Sequence, residues 1–451
     1  MSELKEESVL APESAPTRDY SVARGLLAVG AVAIVGVAIG LIGTRLISDG
    51  TKLHLLGGVL IRGDLTISIG WPIIGALIIA VITVARGTTI ASTVSWRQLQ
   101  IITTLASLGW TISLAAAKPN IDGKSGITGP LESIAEYLYD VPRIHGLNDL
   151  LGNFIKHIPA LSADPWTTHV AGHPPGPTAL FAALKAIGLG GSGWAAAICI
   201  LVGIGSVPAV LSAVRSLHGE PSARTIAPFL VLAPWALWIA TTADALWLGT
   251  SCLAVAVLAA SLSTAKPRRL LLITSGLLFG ISLFGSYGMA LMGVIVLAVV
   301  IYRRRFAALP WIIVGGLIPV VLAGFGGFWW WHGLAVTSVR VTNGPASMDR
   351  PLWYFLIANL VVAAIAVGPA VVGAIVQRGL WRQPLVYGAL FAILLADLTG
   401  LAKGEVERIW LPFYPWIATA TRCLPRRSVT FWLTLQAATP IVITVLMRTE
   451  W

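Results

Sequence analysis

Charge is scarce in this chain: of 451 residues only 11% are Asp, Glu, Lys or Arg, while 56% are hydrophobic. A soluble domain carries roughly 25% charged residues, because its surface must be covered with groups that water solvates. That shortage excludes a soluble globular protein. Cysteine is scarce too: Cys199, Cys252 and Cys423 lie far apart, in or beside apolar segments. They offer neither a disulfide framework nor metal-ligand spacing. The phosphate-cradling pattern GxxxxGK[ST] is missing, which argues against ATP as the driving ligand. Residues 1–24 lack the basic start, apolar core and small-residue cleavage site of a removed signal peptide. They read as a disordered cytoplasmic tail ahead of an uncleaved anchor. No internal or inverted repeat is visible, which weighs against a transporter built from two related halves.

What the chain has in abundance is apolar runs of bilayer length. Candidate spans fall near 25–46, 71–86, 99–117, 192–214, 225–242, 247–263, 269–284, 287–303, 309–328, 352–376, 384–399, 408–421 and 428–447. That makes about thirteen, each near the ~20 residues that cross a ~30 Å hydrocarbon core. The expected fold class is an all-α polytopic membrane protein. Residues 25–451 form one transmembrane domain, with 118–190 an outer loop bearing juxtamembrane helices. Many of the eighteen tryptophans sit near span ends and read mostly as an interfacial belt, Trp410 among them.

The apolar segment Pro177–Leu189 decides the topology of everything after it. If it does not cross, the downstream cytoplasmic loops hold Arg215, Arg224, Lys266, Arg268, Arg269, Arg303, Arg304, Arg305, Arg378, Arg382, Arg422, Arg426 and Arg427. The opposite side keeps Arg340, Arg350, Lys403, Arg408 and Arg448. Crossing would reverse this asymmetry and violate the positive-inside rule, so the segment is expected at the outer interface. The same topology puts every acid beyond the tail except Glu220 on the outer side, with all histidines but His218. Chemistry is therefore expected on the outer face of the plasma (inner) membrane.

Polarity concentrates in the loop 118–176. Its end, Thr168-His169-Val170-Ala171-Gly172-His173-Pro174-Pro175-Gly176, contains two successive X-Pro bonds. Proline fixes its own φ and biases its predecessor away from helix, so His173 is aimed by a rigid extended corner, and Pro177 suits the first turn of a following helix. The plainer alternative, a helix start with a solvated histidine, has about even weight. Upstream, Glu136 and Asp140 are four apart and would share a helix face with Tyr137 alongside. Either carboxylate suits general-base work toward a hydroxyl. Two acids in a loop are more often a solvated face, and Arg143 could be a local partner.

Two further places stand out. Asp244 sits at the tip of a tight outer turn, where it reads equally as a helix N-cap or as a site acid. Lys403-Gly404-Glu405-Val406-Glu407-Arg408 packs its charges against the outer start of a span. The donor fork of Arg408 suits phosphate oxygens, with Lys403 beside it. The alternative is simple pairing of Arg408 with Glu405 or Glu407. The segment Trp329–Arg350 adds His332, Arg340 and Arg350, a weak signal for an anionic head group.

Together these motifs resemble the glycosyltransferase C superfamily, polytopic enzymes that mostly use polyprenyl-phosphate sugars. Glu136-Tyr137 and Asp140 fall where that family keeps its loop acid, His173-Pro174-Pro175 resembles its corner, and Glu405–Arg408 resembles a late outer Glu-Arg. The wording of the three motifs is similar to actinobacterial membrane proteins. The family usually places its acidic loop after the first span, whereas two spans precede the third here, so Asp49, Asp64 and Asp122 are rival acids.

The resemblance implies an inverting transfer of a sugar (a pentose such as arabinose, or mannose) from a polyprenyl-phosphate donor to an envelope glycan or glycolipid. Asp140 or Glu136 would be the base. Tyr137, Arg143, His169, His173, Asp244, His332, Lys403, Glu405, Glu407 and Arg408 would bind substrate. No cofactor, metal or nucleic acid is expected. The alternatives are a transporter or flippase of a lipid-linked or anionic substrate, and a noncatalytic envelope-assembly subunit.

Overall fold

The computed structural model describes residues 20–117, 119–120, 122–380 and 383–451. Most of the expected N-terminal tail, and Arg382, therefore lie outside the described residues. Helices occupy all thirteen expected span positions, but they differ in length. Among the described residues, seven are long and apolar enough to cross a membrane, or eight if one bent pair counts as a span.

Exposure sorts these helices into layers. Val22–Ser48 is 11% buried within the protein and Ile73–Thr93 22%, so their apolar side chains face outward. Asp244–Leu262, at 78% buried, runs through the centre. It packs on Ser192–Ile204, Ser206–His218 and Arg269–Leu283. A helix apolar on all sides is stable only if lipid or protein surrounds it entirely, and the two layers use one solvent each.

Prolines explain where expected spans are broken. The run expected at 225–242 divides at Pro234 into Glu220–Val231 and the 3-10 turn Pro234–Trp238. The run expected at 408–421 contains Pro412 and Pro415 and becomes the short pieces Val406–Ile409, Tyr414–Ala418 and Thr419–Cys423. Leu352–Val367 and Pro369–Ile375 meet at 108°. Gly368 makes that bend with φ +87°, and buried Gln436 satisfies the opened backbone, accepting from Ala370 N at 3.1 Å and donating to Val367 O at 2.8 Å. Unpaired amides there would otherwise cost several kcal/mol each in a dry interior, as an order of magnitude.

The helix that follows the Pro-Pro corner, Gly176–Ala186, has 11 residues. At 1.5 Å per residue it reaches about 16 Å, far short of a bilayer core. Between the first two long helices, residues 49–72 fold back over the same end of the molecule. There Gly63–Leu65 pairs antiparallel with Met447–Thr449, in the register Gly63↔Thr449, Asp64↔Arg448 and Leu65↔Met447.

The tryptophan belt needs correction. Trp110, Trp238, Trp410, Trp416 and Trp432 are fully buried. Trp410 is a core residue, because the broken helix Val406–Ile409 turns inward instead of lying along the interface. Trp71, Trp194, Trp329, Trp331 and Trp353 remain exposed, as an interfacial position requires.

Candidate functional site

Four separate stretches of chain converge on Arg408. Its Nη1 donates to Asp244 Oδ2 at 2.7 Å and its Nη2 to Glu405 Oε2 at 2.8 Å. The same Nη2 lies 3.1 Å from His169 Nε2. On the far side of that imidazole, Nδ1 lies 2.6 Å from Glu136 Oε1. This is an ion-pair approach without the alignment of a formed hydrogen bond. Arg408, Asp244 and Glu136 are all about 5% exposed or less. Burying so many charges is costly unless they compensate one another, so such clusters concentrate at functional sites.

Each member is aimed by local backbone. Glu136 precedes the four-residue helix Tyr137–Asp140 with extended geometry, ψ 167°. The expected shared helix face therefore does not form: Glu136 points to His169 while Asp140 points away from it. Asp140, fully buried, accepts from Arg143 Nη1 at 2.7 Å, Thr167 N at 2.8 Å and Thr167 Oγ1 at 2.9 Å. Arg143 also donates to the carbonyls of Asp164 and Pro165 and stacks over Trp166 at 4.4 Å. This clamp sets the start of helix Thr168–Gly172, which carries His169.

His173 ends that helix in extended conformation, as a residue before proline should. Its Nδ1 approaches His169 O at 2.9 Å, and its ring meets Tyr137 edge-on at 5.8 Å. Tyr137 is buried between this ring and Phe181 of the next helix. The corner is pinned where Gly176 N donates to Phe284 O at 2.9 Å, and a Cβ on Gly176 would sit 2.2 Å from that oxygen. Only glycine fits so close an approach.

The Glu405–Arg408 stretch is held in strained backbone: Glu405, a non-glycine residue, has φ +63° after Gly404 at +91°. A left-handed non-glycine residue costs on the order of 1–3 kcal/mol and persists only where its surroundings impose it. Here Asn359 imposes it, accepting from Gly404 N at 3.0 Å while donating to Asp397 Oδ1 and Ala402 O. Asp244 does not cap its helix by its own side chain; Ala243 holds the N-cap position and the Asp244 carboxylate goes to Arg408.

The electrostatics follow from these contacts. Burial works to raise the Glu405 carboxyl, but Arg408, Arg62 and Arg350 outweigh it and hold it at about 2. Burial likewise opposes ionisation of Glu136, and His169, Arg408 and His173 outweigh it, leaving it below the usual range. For His169, burial disfavours the cation, yet Glu136 prevails and raises it. For His173 burial wins and lowers it. Glu407 is the exception: fully buried, with neither carboxylate oxygen in a well-formed hydrogen bond among the described residues, it is pushed up to about 7 by burial, with Glu405 adding to the effect.

Other expected residues lie elsewhere. Lys403 donates to the carbonyls of Ser347 and Arg350 and so ties down a loop. His332 is exposed on helix Trp330–Thr342. Asp49 pairs with Arg45 at 3.0 Å, Asp64 with Arg448 at 2.9 Å, and Asp122 is exposed. Among the described residues, no three His, Cys, Asp or Glu side chains converge as a metal site requires. Two residues that local reasoning gave no sign of belong to the site. Arg62 pairs with Glu450 and lies 3.4 Å from Glu405 Oε1, and the Trp451 ring lies 4.1 Å from Arg408 Cζ. Both arrive through the pairing of Gly63–Leu65 with Met447–Thr449, which no local motif announces.

No protein-family model matches the sequence, and comparison with curated proteins gives no match. Two solved structures are similar in part: ArnT from Cupriavidus metallidurans in the apo state and the same protein bound to undecaprenyl phosphate. Their TM-scores are 0.45 and 0.47 at 14% identity, over 74% and 75% of this chain. The chain spans 60% and 62% of the length of those two.

Proposed function

We propose that this protein is an integral membrane glycosyltransferase that takes a sugar from a polyprenyl-phosphate donor and attaches it to an envelope glycan or glycolipid on the outer face. The observation that carries this reading is the buried run Glu136–His169–Arg408 with Asp244 and Glu405. It joins a candidate base to a candidate phosphate ligand. Positive charge on the opposite loops supports the outer placement, and that side has no sugar nucleotides, so a lipid carrier supplies the activated sugar.

In this reaction the acceptor hydroxyl oxygen attacks the anomeric carbon as its proton passes to Glu136. The bond from that carbon to the phosphate oxygen breaks, its electron pair leaves with the polyprenyl phosphate, and configuration inverts. Glu136 is the base because its carboxylate stays ionised and, among the described residues, its close approach is to His169 alone. Asp140 has both oxygens committed to Arg143 and Thr167 and acts as the clamp. Arg408 stabilises the departing phosphate charge. Arabinose and mannose donors are both in keeping with this site.

The test is transfer by purified protein in detergent, offered polyprenyl-phosphate pentoses and hexoses with glycan acceptors. Release of the polyprenyl phosphate coupled to a new glycosidic bond is expected. Movement of the intact lipid across a vesicle membrane without sugar transfer would instead identify a flippase.

A further inference from the structure

Arg408, the candidate phosphate ligand, has almost nothing left to give a phosphate. Asp244 takes one N–H of Nη1, and Glu405 and His169 occupy Nη2. The Trp451 ring covers one face of the guanidinium at 4.1 Å and lies 5.9 Å from the His169 ring. Of the five N–H groups of Arg408 that leaves one on Nη1 and that of Nε, and Nε is buried without an acceptor, as is Nε1 of Trp451. Arginine holds phosphate most strongly through two parallel N–H groups presented edge-on. Something must therefore move before an anion can enter.

The candidates to move differ greatly in what restrains them. Asp244 belongs to the most deeply packed long helix, 78% buried, and Glu405 is fixed by the Asn359 network. Trp451 is carried by Met447–Thr449, three residues paired to three others, Gly63–Leu65, in a two-stranded sheet, with Thr66 N and Ser68 N donating to the carbonyls of Leu446 and Val445 at its base. Such a ladder is marginal on its own. The ion pair across it, Arg448 with Asp64, is about 30% exposed on each side, and pairs so open to water add little to stability. Arg62 couples the two sides, pairing with Glu450 next to Trp451 and reaching Glu405.

We propose that residues 447–451 form a lid over the donor site, in which Trp451 occupies the place of the donor's anionic head and swings out with its strand to admit a lipid phosphate. The lid rests on the reading of Arg408 as the phosphate ligand. Opening exposes the free face and Nε of Arg408; reclosure over the bound donor would exclude water from the anomeric carbon.

A reversible lock tests this. Asp64 and Arg448 are directly paired, and antiparallel partners lie about 4.5–5.5 Å apart at Cα, within disulfide range. In the double variant Asp64→Cys/Arg448→Cys, binding of undecaprenyl phosphate in detergent is measured oxidised and reduced, so each molecule is its own folding control. Expected is at least tenfold weaker binding when oxidised, reversed by reductant. Trp451→Ala, with an unchanged unfolding midpoint, is expected to bind at least as tightly as the parent and to associate faster. Equal binding by oxidised and reduced forms overturns the lid while leaving the phosphate site standing, and so does weaker binding by Trp451→Ala. If neither form of the double variant nor the parent binds the lipid phosphate, the phosphate site falls and the lid with it.

Discussion

Arg408 sets the tautomer of His169. A guanidinium can only donate, so in the neutral imidazole the contact of Nη2 with His169 Nε2 at 3.1 Å makes Nε2 the acceptor and leaves the one ring proton on Nδ1, the nitrogen facing Glu136. A phosphate that draws Arg408 away frees Nε2, and the imidazole can then take a second proton beside the Glu136 carboxylate. Donor binding and the protonation of the base's neighbour are thereby linked through one ring.

Substituting His169→Gln breaks this link without removing the base. The expected result is a fall in transfer of about tenfold to a hundredfold, with retained binding of undecaprenyl phosphate, since positioned acid–base groups contribute on the order of 10²–10⁴. Transfer kinetics beside equilibrium binding check it; parallel loss of both would make His169 a binding residue.

Arg408→Lys keeps the charge and loses the fork. A point ammonium cannot serve Asp244, Glu405 and a phosphate together, so lipid-phosphate affinity is expected to fall by about tenfold to a hundredfold, equivalent to about 1.5–3 kcal/mol. Titration with undecaprenyl phosphate measures this directly.

Asp140→Asn separates clamp from chemistry. It weakens a buried, fully hydrogen-bonded carboxylate and leaves Arg143 undercompensated, for which about 3 kcal/mol of lost stability is expected. The unfolding midpoint should drop, while activity per folded molecule persists at reduced temperature. An unchanged midpoint with abolished turnover would return Asp140 to the role of base.

Glu407 makes stability depend on pH. Its carboxyl is raised to about 7, chiefly by burial, so the folded protein binds its proton more tightly than the unfolded chain does. That contribution is fully present below the unfolded value and is lost as pH rises through about 7. Over this window the loss is on the order of 3 kcal/mol, at about 1.4 kcal/mol per pH unit. Glu407→Gln is expected to flatten the profile between pH 5 and 8 and to raise the unfolding midpoint at pH 8. Identical profiles for variant and parent would show that Glu407 finds a partner in solution.

Local chemistry was legible in the sequence, and long-range pairing was not. The extended turn at His173 follows from two prolines beside it, whereas the continuous spans expected at 225–242 and 408–421 passed over Pro234, Pro412 and Pro415, where the helices break. Arg408 stood out as a charge beside an apolar run, though its partners proved to be Asp244 and Glu405, with Glu407 excluded. Asp140 and Glu136 looked equivalent because the clamp that separates them depends on the amide of Thr167, 27 positions along the chain. Trp410 looked interfacial because a tryptophan at a span end fits either solvent; only the inward turn of its helix decides. Arg62 and Trp451 enter through a three-residue ladder between distant segments, too short to leave a periodic signal.

Glu136 is the residue on which the proposed chemistry turns. Purified Glu136→Gln, which keeps the shape of the side chain and removes its basicity, is compared with the parent for sugar transfer from a polyprenyl-phosphate donor, at equal occupancy by that donor. The account predicts transfer reduced at least about a hundredfold with donor binding retained. Transfer at the parent rate would contradict it.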